Sequence, residues 1–163
     1  MISHENDIEF CFNKKKLIEN YDGYKKIGTI YYPLKTNTNS MLLNALKEIM
    51  NEEDGFLISN TYNFEVLKEL NVSPQKMCLI NVVSTNDTIK NLYEKGVRQF
   101  VFDDFNTLKS FCSYAQLEEC KIFIRLNTVE IFTDTIMHLG ATIPECHKML
   151  ELIKDKCQKV GIL

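Results

Sequence analysis

Tyr31-Tyr32-Pro33-Leu34-Lys35-Thr36-Asn37 carries an aromatic, apolar strand onto a single lysine and then into polar residues able to start a helix. A lysine at a strand end is a chemical handle, because its amine can form a Schiff base with an aldehyde. Outward from this stretch, short apolar runs recur near residues 30–34, 56–59, 77–82, 99–102 and 121–126. Each is too brief for a buried helix and does not alternate with polar residues, the pattern of strands covered on both faces.

Helix-period stripes fill the intervals. Leu42, Leu43, Leu46, Ile49 and Met50 form one, Phe64, Leu67 and Leu70 a second, Ile89, Leu92 and Tyr93 a third, and Leu108, Phe111 and Cys112 a fourth. Leu17, Ile18, Tyr21 and Tyr24 suggest a helix before the first strand. Strand and helix alternate with a beat of about 22 residues, so each helix crosses back over the sheet and lays the next strand parallel to the last. A parallel α/β fold follows, as a barrel or an open sheet.

Local signals set the boundaries. Thr61 and Asn86 are placed to cap helices, and Gly96 follows Lys95 where one should stop. Thr142 and Glu145 have the spacing of a capping box, with Pro144 in the first turn, which predicts a last helix over about residues 142–158. Residues 127–139 show no clean period. The sum is five strands and the start of a sixth, whereas a closed (β/α)₈ barrel needs eight strands and typically about 250 residues. The fold expected is therefore parallel α/β with five to six βα units, either an open sheet or an incomplete parallel (β/α) barrel, the second being what the family resemblance given below implies. It is one domain over 1–163, with an N-terminal segment and helix over 1–25 and the βα units over 26–163.

Composition narrows the function. At 45% apolar and 25% charged residues the chain has the balance of one globular domain. No apolar run approaches the roughly 20 residues of a membrane span, and the first residues lack the basic start and apolar stretch of a secretory signal. A cytoplasmic protein without membrane contact is expected. The net charge of −3, with Lys14-Lys15-Lys16 as the lone basic cluster, argues against nucleic acid. Six cysteines without a C-x-x-C pair read as free thiols, and His4, His138 and His147 fall at no ligand spacing, so no metal is expected.

Three positions invite chemistry. Lys35 sits at the end of the first strand, and in parallel α/β barrels the carboxyl ends of the strands form the face where reactions occur. Partial burial there would favour the neutral amine that attacks an aldehyde; the plain alternative is a solvent-exposed strand end. Arg125 interrupts the apolar run Ile122-Phe123-Ile124-Arg125-Leu126, a costly place for a guanidinium unless an anion meets it. That anion is a ligand or a carboxylate such as Asp103. Asp103 and Asp104 follow Phe102, where acids cap the next helix.

The segment around Lys35 resembles the Tyr-Ala-Val-Lys-Ala-Asn segment of the pyridoxal-phosphate decarboxylases of the ornithine, diaminopimelate and arginine type. The resemblance continues through Gly55-Phe56-Leu57-Ile58-Ser59-Asn60, Val72-Ser73-Pro74, Gly96-Val97, Phe102-Asp103, Ile124-Arg125-Leu126 and His138-Leu139-Gly140-Ala141-Thr142. It covers roughly residues 25 to 163 and implies the first part of such an enzyme, of the alanine-racemase-like barrel fold, ending before a strand that finishes in His-Val-Gly-Ser. It also implies pyridoxal 5′-phosphate as cofactor, Lys35 as the catalytic lysine that carries it, Arg125 in the cofactor pocket, and an amino acid as substrate.

Four features depart from the family pattern. The acids of the family's Phe-Asp-Val-Ala-Ser-x-x-Glu segment fall on Leu57 and Asn63, and all six glycines are isolated, so no glycine-rich cup for a phosphate is present. The ring-stacking histidine and the glutamate for the ring nitrogen are also unmatched. The implied function is part of a decarboxylase for a basic or diamino acid, as a homo-oligomer or with a complementary chain that completes the barrel. The alternatives are a non-catalytic homologue that binds or regulates a partner, a racemase-like cofactor carrier, and a plain α/β protein.

Overall fold

Six parallel strands lie side by side in chain order: β1 (Tyr31–Pro33), β2 (Gly55–Ile58), β3 (Met77–Ile80), β4 (Gln99–Phe102), β5 (Lys121–Ile124) and β6 (Lys159–Ile162). They belong to a computed structural model that describes residues 11–80, 85–127 and 139–163. A doubly wound sheet reverses its strand order at a switch point; this sheet never does, so its winding is that of a barrel. The helices alternate with the strands: α1 (Lys14–Lys25), α2 (Ser40–Ile49), α3 (Thr61–Glu69), α4 (Asn86–Glu94), α5 (Phe105–Cys112) and α6 (Ile143–Ile153).

Register divides the strand residues between two faces. Phe56, Met77, Leu79, Phe100, Ile122 and Ile124 are almost wholly buried beneath the helices, packed with Leu43, Leu67, Leu92, Phe111 and Met149. Tyr31, Cys78, Gln99 and Phe123 share the other, concave face. Along a flat sheet β1 and β5 would lie four strand spacings apart, about 19 Å. Yet the Tyr31 and Phe123 rings meet edge to face at 6.4 Å, which requires the sheet to curl. Tyr31 Oη also donates to Gln99 Oε1 at 2.5 Å, and Gln99 Nε2 donates to the Gln75 carbonyl at 2.6 Å.

Two glycines make room for this filling. A Cβ on Gly55 would lie 2.5 Å from the Lys76 carbonyl, and one on Gly161 would lie 2.9 Å from the Phe123 ring. The amino-terminal half of the curl is thus plugged by side chains. Its outer strands, β1 and β6, each pair on one side only among the described residues.

Helix boundaries differ slightly from the sequence expectation. Asn60 caps α3 through Asn63 N–H, and Thr85 caps α4 through Thr88 N–H, each one residue before the expected cap. Gly96, at φ 97°, follows the C-cap Lys95 as expected. The capping box of α6 forms, with the Glu145 carboxylate accepting from Thr142 N–H at 3.0 Å. That helix stops at Ile153, short of the expected residue 158. The chain reverses through Asp155 at φ 59°, and Gln158 N–H donates to the Cys120 carbonyl, which brings Lys159 alongside Lys121. The expected end of the third strand, Asn81 and Val82, lies outside the described residues, as does His138.

α1 buries no residue fully and is held largely by polar ties. Buried Asp54 accepts from Tyr21 Oη at 2.5 Å, Lys25 Nζ at 2.7 Å, Ile30 N–H at 2.8 Å and Asn51 N–H at 3.2 Å. Burial pushes this carboxyl up, but the bonds from Ile30, Lys25 and Tyr21 outweigh it and leave the group below the usual aspartate value.

Candidate active site

The carboxyl ends of the strands place Lys35 after β1, Ser59 after β2, Asp103 after β4 and Arg125 after β5. The backbone at Lys35 is pinned on both sides. Leu34 is fully buried and its N–H donates to the Leu57 carbonyl at 3.0 Å. Thr36 N–H closes a turn on the Pro33 carbonyl, and Tyr32 Oη donates to the Asn37 carbonyl at 3.1 Å. The side chain of Lys35 is exposed. The partial burial expected from the sequence is absent: the turn lifts Lys35 out of the plugged interior, and the described residues put no wall opposite it.

Arg125 is held as firmly. Its N–H donates to the Phe102 carbonyl at 2.9 Å and its carbonyl accepts from Ala141 N–H at 2.8 Å. Gly140, at φ 106°, passes so close that a Cβ would lie 2.8 Å from the Arg125 carbonyl. The guanidinium is half-buried, and among the described residues it makes no hydrogen bond and no ion pair within 4 Å.

Asp103 and Asp104 part company. Asp104 caps α5, accepting from Thr107 N–H at 2.9 Å. Asp103 caps nothing, and its Oδ1 is sealed from solvent without a hydrogen-bond partner. Burial pushes its carboxyl above the usual aspartate value, against the nearby Arg125 charge. The direct ion pair weighed for Arg125 does not form. Sequence reasoning assigned both acids to capping, because adjacent carboxylates after a strand give no sign of which one turns inward.

The residues that stand where the family pattern has acids are otherwise engaged. Leu57 lies between Pro33 and Cys78 in register and is half-buried. Buried Asn63 accepts from both Ser59 N–H (3.1 Å) and Ser59 Oγ (3.0 Å), so its side chain serves the start of α3.

These residues suit one end of pyridoxal phosphate better than the other. An accessible amine on a fixed backbone fits the aldehyde, and an unpaired guanidinium fits an acidic oxygen. A phosphate dianion wants a nest of backbone N–H groups, and the described residues at this end offer none. A cavity of about 820 Å³ opens at the opposite, amino-terminal end, lined by Gln75, Lys76, Arg98, Gln99 and Lys121 with acids among them. There Lys76 is tied to the Asn51 carbonyl and Arg98 to Glu119.

Comparison with known proteins matches residues 14–161 to the pyridoxal-binding domain of the pyridoxal-dependent decarboxylases. No curated protein sequence matches the chain. Among solved structures, the lysine decarboxylase of Selenomonas ruminantium superposes with a TM-score of 0.73 at 22% identity, over 91% of this chain and 39% of that one. The arginine decarboxylase of Paramecium bursaria Chlorella virus gives 0.73 at 20%, over 91% and 41%. A diaminopimelate decarboxylase of Helicobacter pylori complexed with L-lysine gives 0.74 at 18%, over 93% and 43%. At these identities the likeness is one of fold, and the chain spans about two fifths of the length of each structure.

Proposed function

Because this chain belongs to the pyridoxal-dependent decarboxylases, through their pyridoxal-binding domain, we propose that it supplies the cofactor lysine of an enzyme acting on a basic or diamino acid. The observation that carries the reading is Lys35, an accessible amine on a backbone pinned by Leu34 and Thr36 at the carboxyl end of β1. Lys35 Nζ would hold the cofactor through its aldehyde carbon, and once the substrate's amine had displaced it from that carbon the freed lysine amine would be placed to take up and return a proton at the reacting carbon. Arg125 offers its donors to an acidic oxygen on the same face. The cofactor, when bound, supplies the electron sink for the charge left behind as carbon dioxide departs.

Activity needs further polypeptide. The phosphate end lacks a cradle among the described residues, and the free sides of β1 and β6 present unpaired backbone groups that proteins cover or pair. A complementary chain would supply both, whereas a second copy of this chain would cover the strand edges alone. Incubation with pyridoxal phosphate, borohydride reduction and peptide mass mapping test the central point. Label on Lys35 supports it; label spread over surface lysines, or none, refutes it.

A second reading is favoured by Leu57 and Asn63: an apolar residue and a committed helix-start amide stand where the family pattern has acids. In that reading the chain is a non-catalytic homologue whose carboxyl face or strand edges bind a partner. A stable hetero-complex that forms without the absorbance of lysine-bound cofactor would support it over the first.

A further inference from the structure

The two outer strands of the sheet are not equivalent. On β1, the Ile30 carbonyl accepts from Gly55 N–H and Leu34 N–H donates to the Leu57 carbonyl, so the alternate residues Tyr31 and Pro33 turn their backbone groups outward. Proline has no N–H, and the Pro33 carbonyl already accepts from Thr36 N–H at 3.1 Å. That edge is blunted, a common use of proline on an outer strand. On β6, Leu163 N–H donates to the Ile124 carbonyl and the Leu163 carbonyl accepts from Leu126 N–H, each at 2.9 Å. The alternate residues Val160 and Ile162 therefore point both their backbone groups away from the sheet, where β6 has no neighbour among the described residues. Val160 and Ile162 lie in register with Ile122 and Ile124, which the helices bury completely, yet Ile162 is 59% exposed. On the concave side Lys159 lies beside Lys121, and Gly161 beside Phe123.

The strand that fits this open edge is β6 itself. We propose that two copies of this chain pair through β6, antiparallel about a two-fold axis at Gly161, into one continuous sheet. Each Val160 then stands opposite the second copy's Ile162, and such opposed residues exchange both of their backbone hydrogen bonds, so every outward N–H and carbonyl of the two strands is met. Val160 and Ile162 of both copies form one apolar cluster on the convex side, and each Lys159 faces the second copy's Leu163. A parallel, in-register copy would instead set a third lysine beside Lys121 and Lys159, and like charges side by side destabilise a sheet. The pairing uses neither Lys35 nor Arg125, so it stands or falls apart from the cofactor reading. So short an edge contact is expected to bury less than the roughly 1,200 Å² of stable complexes. A reversible dimer follows, with Kd between about 1 µM and about 1 mM.

Sedimentation equilibrium of the whole chain across that concentration range, with amide hydrogen exchange at its two ends, tests the pairing. The Val160 and Ile162 amides should exchange about tenfold or more slowly in the dimer than in the monomer, since only the dimer bonds them, while Gly161, which faces β5, changes little. Ile162→Pro deletes the outward donor on both copies and no hydrogen bond within the chain, so it should weaken the dimer about tenfold or more. Ile162→Lys keeps the donor but brings a charge into the apolar cluster, and should weaken it as much. Ile27→Lys, at an exposed apolar residue before β1, should leave it unchanged. Circular dichroism checks that each variant is folded. A chain still monomeric at about 1 mM overturns the proposal and leaves β6 to a strand of another polypeptide. A dimer whose Val160 and Ile162 amides exchange as in the monomer also overturns it, as does one that both Ile162 variants leave intact or that Ile27→Lys dissolves.

Discussion

Replacing Asp54 by alanine should free the first helix from the rest of the protein. Its carboxylate is the common acceptor for Tyr21 Oη, Lys25 Nζ and the N–H groups of Ile30 and Asn51, and it is almost wholly buried. α1 buries no residue fully, so apolar packing offers little to replace these ties. Removing one partner from a buried charged network costs on the order of 3–5 kcal/mol. Rehydration of the donors at the surface puts the expectation for Asp54→Ala at the lower end, about 3 kcal/mol. At roughly 2–4 °C per kcal/mol for a chain of this size, Tm should fall by about 6–12 °C.

The pH dependence has a definite sign. The folded-state carboxyl of Asp54 is held below its ordinary value, so its contribution is present above the ordinary aspartate range and is lost as pH falls through the lowered value. Tyr21 is pushed up by burial and by its bond to Asp54, and Lys25 is raised by its own bond to Asp54. Their contributions are present below their ordinary values and are lost as pH rises through the raised ones. The wild-type advantage over Asp54→Ala should therefore be flat near neutrality and shrink at both extremes. Urea titrations from about pH 3 to about pH 12, beyond the ordinary tyrosine and lysine values that burial and the Asp54 bond raise, with hydrogen exchange on the α1 amides at neutral pH, measure it. A loss under 1 kcal/mol at pH 7, or α1 amides no less protected in the variant, would show that packing of Leu17 and Tyr21 holds the helix.

Tyr31→Phe should cost about 1–3 kcal/mol in urea unfolding, because it strands the enclosed Gln99 Oε1; ultraviolet titration should show burial pushing Tyr31 and Tyr114 up to about 12 in the wild type, and the variant should lose one of the two. Gly140→Ala forces a Cβ against the Arg125 carbonyl at φ 106°, and should destabilise by more than about 2 kcal/mol. Lys35→Ala should leave unfolding within about 0.5 kcal/mol of wild type, as an exposed turn residue does, while removing any borohydride-trapped label. Thiol titration should find Cys11 fast and Cys78 and Cys120 slow, since burial pushes both buried thiols up to about 12.

The parallel order of the sheet was legible because hydrophobic periodicity and loop length are enough to dictate it. Runs such as Gln99–Phe102 are four residues long and apolar throughout, and the helices between them leave no short path to an antiparallel neighbour. Periodicity alone left barrel and open sheet unseparated, and the family resemblance around Lys35 pointed to the barrel that the structure shows; the curl itself depends on Tyr31 reaching Gln99 and Phe123 across the sheet, contacts 68 residues apart for the first pair. Caps slipped by one residue for a similar reason. Asn60 and Thr61, or Thr85 and Asn86, are all competent acceptors, and only the backbone angles decide which one is extended.

Lys35 could be found because a charged residue at the end of an apolar strand breaks a pattern and its neighbours carry the family resemblance; Asp54 follows polar residues that look like loop, and Asp103, although it too ends an apolar strand, reads with Asp104 as a helix cap. Their fates are opposite, and the difference is the number of donors delivered to each buried oxygen. Asp54 collects donors from α1, from the segment before β1 and from the end of α2, and becomes a structural anchor below its ordinary value. Asp103 collects none on Oδ1 and is held above its ordinary value beside Arg125, which has no ion pair among the described residues. What burial does to a carboxylate thus depends on the donors the fold delivers, four to Asp54 and none to Asp103 Oδ1. Asp103→Asn should then cost little in urea unfolding at pH 7, because it removes a buried charge that no donor meets, whereas Asp54→Asn should cost most of what Asp54→Ala does, because four donors share that carboxylate; equal losses in the two variants would refute the contrast.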